Sequence, residues 1–288
     1  MIDERITNSR SIKFHVKAFL ESIQSEIKGK KVIDIPAGSG STSEVLFELG
    51  ADVESFDLFP EYFMLKEINC QRANIMDGVP VNSHYADLVI CQEGMEHFSD
   101  QLKALKEFNR ILKVGGKLLI TVPSYSNLAA KLSYLLFESE TSKGMPPNEL
   151  CDVWMSDNDA AEKGIYHGHI FLIGLQKLRT LSLLSGLKIN EVRYVRLSKG
   201  SLVLFPFLYP LILIHSYICY FRNLKKYPDV PLASKKQVFG DQLKININPN
   251  NLLNKHTFVI FEKDCELSDI YSRLEQLNKS SYSFDKVM

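Results

Sequence analysis

The sequence predicts an α/β protein built on a doubly wound, mostly parallel sheet. Short apolar runs of strand length alternate with longer amphipathic ones of helical period. Gly29, Gly50, Gly115-Gly116 and Gly186 punctuate the junctions between them. The first strand passes through a Gly-x-Gly turn straight into a helix, the arrangement of a βαβ unit that takes a ligand at its strand ends.

The elements follow in order. Ile12, Val16, Phe19, Leu20 and Ile23 recur at helical spacing, so residues 10–27 read as an amphipathic helix. Residues 31–35 are a short buried strand, 41–49 a helix and 53–57 a second strand. Residues 86–91 form the next strand. A helix over 100–112 points Leu102, Leu105, Phe108, Ile111 and Leu112 inward, and Gly115-Gly116 turns the chain into a strand over 117–122. A helix over 173–184 and strands over 188–197 and 256–262 complete the alternation. No internal repeat or low-complexity linker divides the chain, so residues 1–288 read as one domain. Two stretches interrupt it, at 124–165 and 199–254.

Composition narrows the function classes. The 288 residues are 45% hydrophobic and 24% charged, which excludes a disordered chain and a polytopic membrane protein. Lys plus Arg and Asp plus Glu both number 34, so no global cationic excess serves a nucleic-acid backbone. The five cysteines, Cys70, Cys91, Cys151, Cys219 and Cys265, are scattered and include no CxxC pair. They read as reduced thiols in a cytoplasmic protein. The charged N-terminus lacks the apolar stretch of a secretory signal.

The first βα turn carries the chemistry. Asp34 ends the strand, Gly38 and Gly40 let the backbone approach a ligand, and the following helix offers free N–H groups. Asp57, at the end of the second strand, is placed to accept from a ribose diol. A dinucleotide fingerprint needs a third glycine where this chain has Ser43.

Four segments together resemble the class I S-adenosylmethionine-dependent methyltransferases. They are residues 32–40, Phe56-Asp57, Ala73-Asn74-Ile75 with Val79-Pro80, and Glu96-His97-Phe98 followed by 108–118. The resemblance covers roughly residues 30–197 plus the strand near 256–262. It implies a seven-stranded Rossmann-like methyltransferase sheet, mostly parallel, with the last strand antiparallel. S-adenosylmethionine is the implied cofactor, held by Asp34, Ile35, Pro36, Ala37, Gly38, Gly40, Asp57, Leu58, Asn74, Ile75 and Gln92. Among these, Asp34 fixes the glycine loop and the methionine ammonium, Asp57 takes both ribose hydroxyls, Asn74 and Ile75 meet the adenine, and Gln92 lies near the methionine. The chain departs from the family at Pro36, in place of the first loop glycine, and at Asn74, where an Asp is common. A Rossmann-like domain with a dead site is the alternative.

Glu93, Glu96 and His97 follow the fourth strand, and a helix starting there would put them on one face. Tyr166-His167-Gly168-His169 lies beyond the fifth strand at the same sheet edge. Two readings stand open. The four side chains Glu93, Glu96, His97 and His169 could hold Mg²⁺, Mn²⁺ or Zn²⁺, as the resemblance of Glu-x-x-Glu-His to small-RNA 2′-O-methyltransferases and ubiquinone-pathway O-methyltransferases implies. Otherwise the Glu-His pair caps a helix and braces the loop, leaving His97 or His169 as general base for a hydroxyl substrate.

Residues 202–221 contain no formally charged residue and are long enough for a membrane span. The flanking strands belong to one sheet, however, and a single span would place them on opposite sides of a bilayer. The run is therefore re-entrant, interfacial or buried in protein. Pro206 and Pro210 are expected to break regular helix and bend it into a shallow insertion. Tyr209, Tyr217 and Tyr220 suit headgroups, and Arg222, Lys225, Lys226, Lys235 and Lys236 suit anionic lipid. Packing within the domain or a dimer interface is the other reading. The 124–165 stretch, with Pro146, Pro147 and Trp154, reads as a substrate lid. The expected function is methyl transfer to an oxygen of a lipid-linked glycan or quinone-like phenol at the cytoplasmic face of a membrane, by a peripheral enzyme touching lipid through 202–226. The rivals are a non-enzymatic membrane-binding module and a soluble dimeric methyltransferase.

Overall fold

The computed structural model describes residues 3–139, 146–153 and 168–279. Helix α1 (Ile12–Ser22) is capped by the Ser11 side chain, which accepts from the Lys13 N–H. The 10–27 helix expected from sequence is divided at Ile23, after which α2 (Gln24–Ile27) adds one turn. Strand β1 (Lys31–Asp34) leads to α3 (Ser41–Glu48), β2 (Asp52–Asp57) and a three-residue strand, β3 (Cys70–Arg72). Strand β4 (Ala86–Gln92) precedes α4 (Gln101–Ile111), whose N-cap Asp100 accepts from Lys103 N–H. Strand β5 (Leu112–Pro123) begins directly after α4, so Gly115-Gly116 lie inside it rather than before it. Next come α5 (Leu128–Phe137), α6 (Leu175–Leu183), β6 (Leu187–Arg193), α7 (Lys199–Leu224), α8 (Leu232–Ile247), α9 (Pro249–Leu253), β7 (His256–Lys263) and α10 (Ile270–Lys279).

The strands form one seven-stranded sheet in the order β3-β2-β1-β4-β5-β7-β6. β1 pairs in parallel with β2 and β4, and β4 with β5, while β7 runs antiparallel to both β5 and β6. The expected sheet, with its single reversed strand, is therefore present. Cores lie on both faces. One centres on Phe56, Leu105, Phe108 and Phe261, the other on Leu20, Leu46, Ile90 and Phe258. The chain order reverses between β1 and β4, and their C-terminal ends open the crevice where open α/β sheets take ligands.

The apolar stretch departs from expectation. Pro206 and Pro210 lie inside one continuous 26-residue helix, α7, and do not end it. Each removes one helical N–H, but the turns on either side are intact and α7 packs along α5, α8 and α9, which hold it straight enough to continue. It is a helix long and apolar enough to cross a membrane, yet β6, before it, and β7, which follows α8 and α9, are hydrogen-bonded neighbours. Residues 140–145 and 154–165 of the expected 124–165 lid, including Trp154, and both Tyr166 and His167 lie outside the described residues.

Phe108 is fully buried on α4 against the sheet. Phe108→Ala is expected to lower the unfolding free energy by about 3–5 kcal/mol, read from a denaturant titration.

Candidate functional site

The turn between β1 and α3 is shaped by backbone that only glycine adopts freely. Gly40 has φ of +92°, and a Cβ there would come within 2.9 Å of the Phe63 ring. Across the turn, Gly38 N–H donates to Asp57 Oδ2 at 2.7 Å, and Phe59 N–H donates to Asp57 Oδ1 at 2.8 Å. The Asp57 carboxylate thus faces the bend. A carboxylate offers about four acceptor positions, so two remain for a vicinal diol.

Beneath the turn lies a buried polar chain. Ser43 donates to Asp34 Oδ2 at 2.6 Å and its hydroxyl lies 2.8 Å from that of Ser55, joining β1, α3 and β2. Sequence reasoning noted Ser43 only as a missing glycine. Its signal was a polar residue on the inward side of the first turn of a helix, nine positions after a buried acid. Thr42 donates to Gln92 Oε1 at 2.7 Å. Two buried atoms at this strand edge have no hydrogen-bond partner: Asp34 Oδ1 and Gln92 Nε2. They offer one acceptor and one donor on adjacent strands, β1 and β4. Burial pushes the Asp34 carboxyl up to about 7; the Ser43 hydrogen bond opposes this, and the Asp57 charge adds to it.

Pro36 is accommodated by a second glycine. A Cβ on Gly94 would fall 2.5 Å from Pro36 Cδ, so the loop after β4 leaves room for the proline ring. Ala37 N–H donates to Phe56 O at 2.9 Å, anchoring the loop to β2. Ile35 is buried, and Leu58 O accepts from Arg72 Nη1. Asn74 turns into its own loop: Oδ1 accepts from Met76 N–H at 3.0 Å and Nδ2 donates to Asp77 Oδ2 at 3.0 Å. Ile75 is buried beside it.

The Glu-His cluster assembles differently from the expectation. Met95–His97 is a single 3₁₀ turn, too tight and short to align Glu93 with Glu96 and His97. Glu93 has φ of +52°, which turns it toward β5 and β7. There Oε1 accepts from Thr121 Oγ1 at 3.2 Å, and Oε2 lies 3.3 Å from His256 Nε2. Glu93 therefore stands apart from the candidate metal ligands. Ligand atoms of Glu96, His97 and His169 lie within 4.8 Å of one another, and the two imidazoles meet edge to face with centroids 5.1 Å apart. Glu96 is fully buried and neither side-chain oxygen has a partner. Burial first, and the nearby Glu93 charge second, push its carboxyl well above the usual carboxylate range. Its side chain caps no helix. The loop is braced instead by Phe171 N–H donating to Glu96 O at 3.2 Å and by Gln101, whose Nε2 donates to Met95 O and Phe171 O. One carboxylate and two imidazoles make a mixed donor set that suits Zn²⁺ or Mn²⁺ better than the all-oxygen preference of Mg²⁺.

Residues 33–120 match the family model described as a methyltransferase domain. The chain is similar to the ubiquinone biosynthesis O-methyltransferase of Xanthomonas oryzae pv. oryzae (strain PXO99A), 29% identical over 109 residues, covering 35% of this chain and 46% of the relative. It is similar to the protein of the same description from Psychrobacter arcticus, 31% identical over 101 residues, covering 31% of this chain and 39% of the relative. The chain thus spans less than half the length of these curated relatives. Among solved structures, an S-adenosylmethionine dependent methyltransferase from Mesorhizobium loti aligns over 87% of this chain and 96% of its own, with a TM-score of 0.48 and 14% identity.

The raised Asp34 value sets a pH dependence. Both folded and unfolded forms are protonated below the ordinary value of 3.8. Between there and about 7 only the unfolded form ionises, so the ligand-free protein loses stability as pH rises through that window, by roughly 4 kcal/mol in all. Unfolding measured across this range should show the loss in the wild type, and Asp34→Asn should remove the Asp34 share of it, leaving the share of Glu96, which burial also raises.

Proposed function

We propose that this chain, which carries a methyltransferase domain over residues 33–120, transfers the methyl group of S-adenosylmethionine to a hydroxyl oxygen. The observation that carries the reading is the Gly38–Asp57 contact across the turn, with Asp34 Oδ1 and Gln92 Nε2 left unpartnered at the same sheet edge. These atoms fit the cofactor. Asp57 would take both ribose hydroxyls, Asp34 Oδ1 the ammonium, and Gln92 Nε2 the methionine end. Leu58, Asn74 and Ile75 would bound the adenine, and Ile35, Pro36, Ala37, Gly38 and Gly40 would pass beneath the nucleoside.

When bound, the cofactor supplies a methyl group already activated by its sulfonium. The protein then has to hold the acceptor oxygen in line and take its proton. As the methyl group left sulfur for the acceptor oxygen, an imidazole of His97 or His169 would take the hydroxyl proton. A second reading rests on the clustered ligand atoms and the orphaned oxygens of Glu96: Glu96, His97 and His169 would hold a divalent cation that orients the hydroxyl.

The acceptor class we propose is a lipid-linked glycan or a quinone-like phenol, met at the cytoplasmic face of a membrane. Support comes from the description of the relatives as ubiquinone biosynthesis O-methyltransferases and from the long apolar helix that leaves β6 at the cofactor edge of the sheet. A zero formal charge balance supports a small or lipid-borne acceptor over a nucleic acid.

Titration calorimetry with S-adenosylmethionine tests the first half. Asp57→Ala should weaken binding about a hundredfold, since two hydrogen bonds to a charged group are lost. Wild-type protein that binds no cofactor would overturn the assignment. His97→Ala or His169→Ala should cut turnover by about 10²–10⁴ with cofactor affinity unchanged. Chelator treatment separates the two readings: activity lost and restored by added Zn²⁺ or Mn²⁺ assigns the cluster to a metal, and activity kept assigns it to proton transfer.

A further inference from the structure

The surface of α7 inverts the usual pattern of a water-facing helix. Val203, Phe207, Leu211, Ile214, Ile218 and Phe221 follow one another at steps of three and four, so they share one face. Every one is exposed, Phe207 and Leu211 to 72% and 63%. The stripe is about 27 Å long at 1.5 Å per residue and carries no charge. Within α7 only Ser201 and Ser216 are buried. Ser216 accepts from Asn246 Nδ2 on α8, and Ser201 bonds to α5 through Ala129 N–H and Asn127 Oδ1. The helix thus turns Ser201 and Ser216 toward the protein and this apolar face outward. α5, whose first turn packs on the start of α7, ends on exposed Leu135, Leu136 and Phe137. A contiguous exposed apolar stripe of this kind marks an interaction surface, unlike singly scattered apolar residues.

Exposed cations follow the C-terminal end of the stripe, opposed in that stretch only by exposed Asp229. Arg222, Lys225, Lys226 and Lys236 are exposed, and among the described residues none of them is in an ion pair. Lys235, counted with them on sequence, is buried and donates to Lys226 O and Tyr227 O, so it holds the turn between α7 and α8.

We infer that the α7 stripe, with the end of α5, docks on an anionic lipid bilayer, lying in the plane of the interface with Arg222, Lys225, Lys226 and Lys236 among the headgroups. Three observations select this occupant. A second copy of the chain would bring the same four cations to the rim, whereas anionic headgroups bring the opposite charge. The pairing of β6 with β7 keeps both ends of the insertion on one side, which excludes a span. Pro206 and Pro210 have no N–H to give to the carbonyls of Leu202 and Pro206, and those carbonyls find water at headgroup depth but not in hydrocarbon. The face starts beyond the C-terminal end of β6, at the same edge of the sheet as the crevice and three strands from β4. Docking would therefore present the site to acceptors in the bilayer, a consequence that rests on the proposed methyl transfer; the docking itself does not.

Flotation of the full chain with vesicles of phosphatidylcholine, alone or mixed with phosphatidylglycerol, tests this. The wild type should float with the anionic vesicles, and added salt should weaken it. A Phe207→Asp, Leu211→Asp double variant should lose flotation. Replacing Arg222, Lys225, Lys226 and Lys236 by Ser should weaken the anionic preference by about fivefold per cation. Cofactor binding should be unchanged in both, which certifies the fold. Should the face variant not fold, hydrogen exchange in the wild type decides: residues 202–221 should gain protection when vesicles are added. Wild type that stays with neither vesicle, a face variant that floats equally, or a stable dimer that the face variant dissociates without any vesicle binding would each overturn the proposal. Flotation without cofactor binding would leave docking standing and remove the methyl-transfer reading alone.

Discussion

The hydrogen bond from Gly38 N–H to Asp57 Oδ2 is the contact on which the site depends. It joins the end of β2 to the turn after β1, nineteen residues apart in sequence, and it holds a charge against the bend. The parallel pairing of β1 with β2 brings the two strand ends level, so the contact is a product of register as well as of residue choice. Gly40 then lets the chain enter α3 without a side chain in the space that Phe63 fills.

Under that contact the polar groups divide into satisfied and unsatisfied ones. Ser43 ties Asp34 to Ser55, and Thr42 ties down Gln92 through its oxygen. What remains is a lone carboxylate oxygen and a lone amide nitrogen, both buried. Leaving such groups bare costs stability. A fold retains them when a ligand with an opposite set of groups completes them, and an amino-acid moiety has both an ammonium and a carboxylate. The same reasoning applies to Glu96, whose two bare oxygens lie beside two imidazoles.

Pro36 and Gly94 show how a proline is absorbed in the turn after β1. The proline ring occupies space that a side chain on residue 94 would otherwise take. The two residues lie on different loops and only the pairing of β1 with β4 makes them neighbours. Glu93 illustrates the opposite case. Its spacing to Glu96 and His97 matches a ligand set, but a left-handed backbone and the partners Thr121 and His256 draw it to the far side of β4.

Period and punctuation in the sequence were enough for the alternation of strands and helices, the glycine turn, and Asp34 and Asp57 at strand ends. These are local properties: hydrophobic spacing records which face is buried, and glycine records where the backbone bends. The three-residue β3 was too short to show a period, and the helix across Pro206 and Pro210 reversed the local rule because neighbouring helices support it. Which of the four acid and imidazole side chains converge, what Ser43 bonds, and which side of α7 stays bare were decided only by tertiary structure. Each depends on strands and helices distant in sequence arriving side by side, and spacing along one segment carries no record of what another segment brings to it.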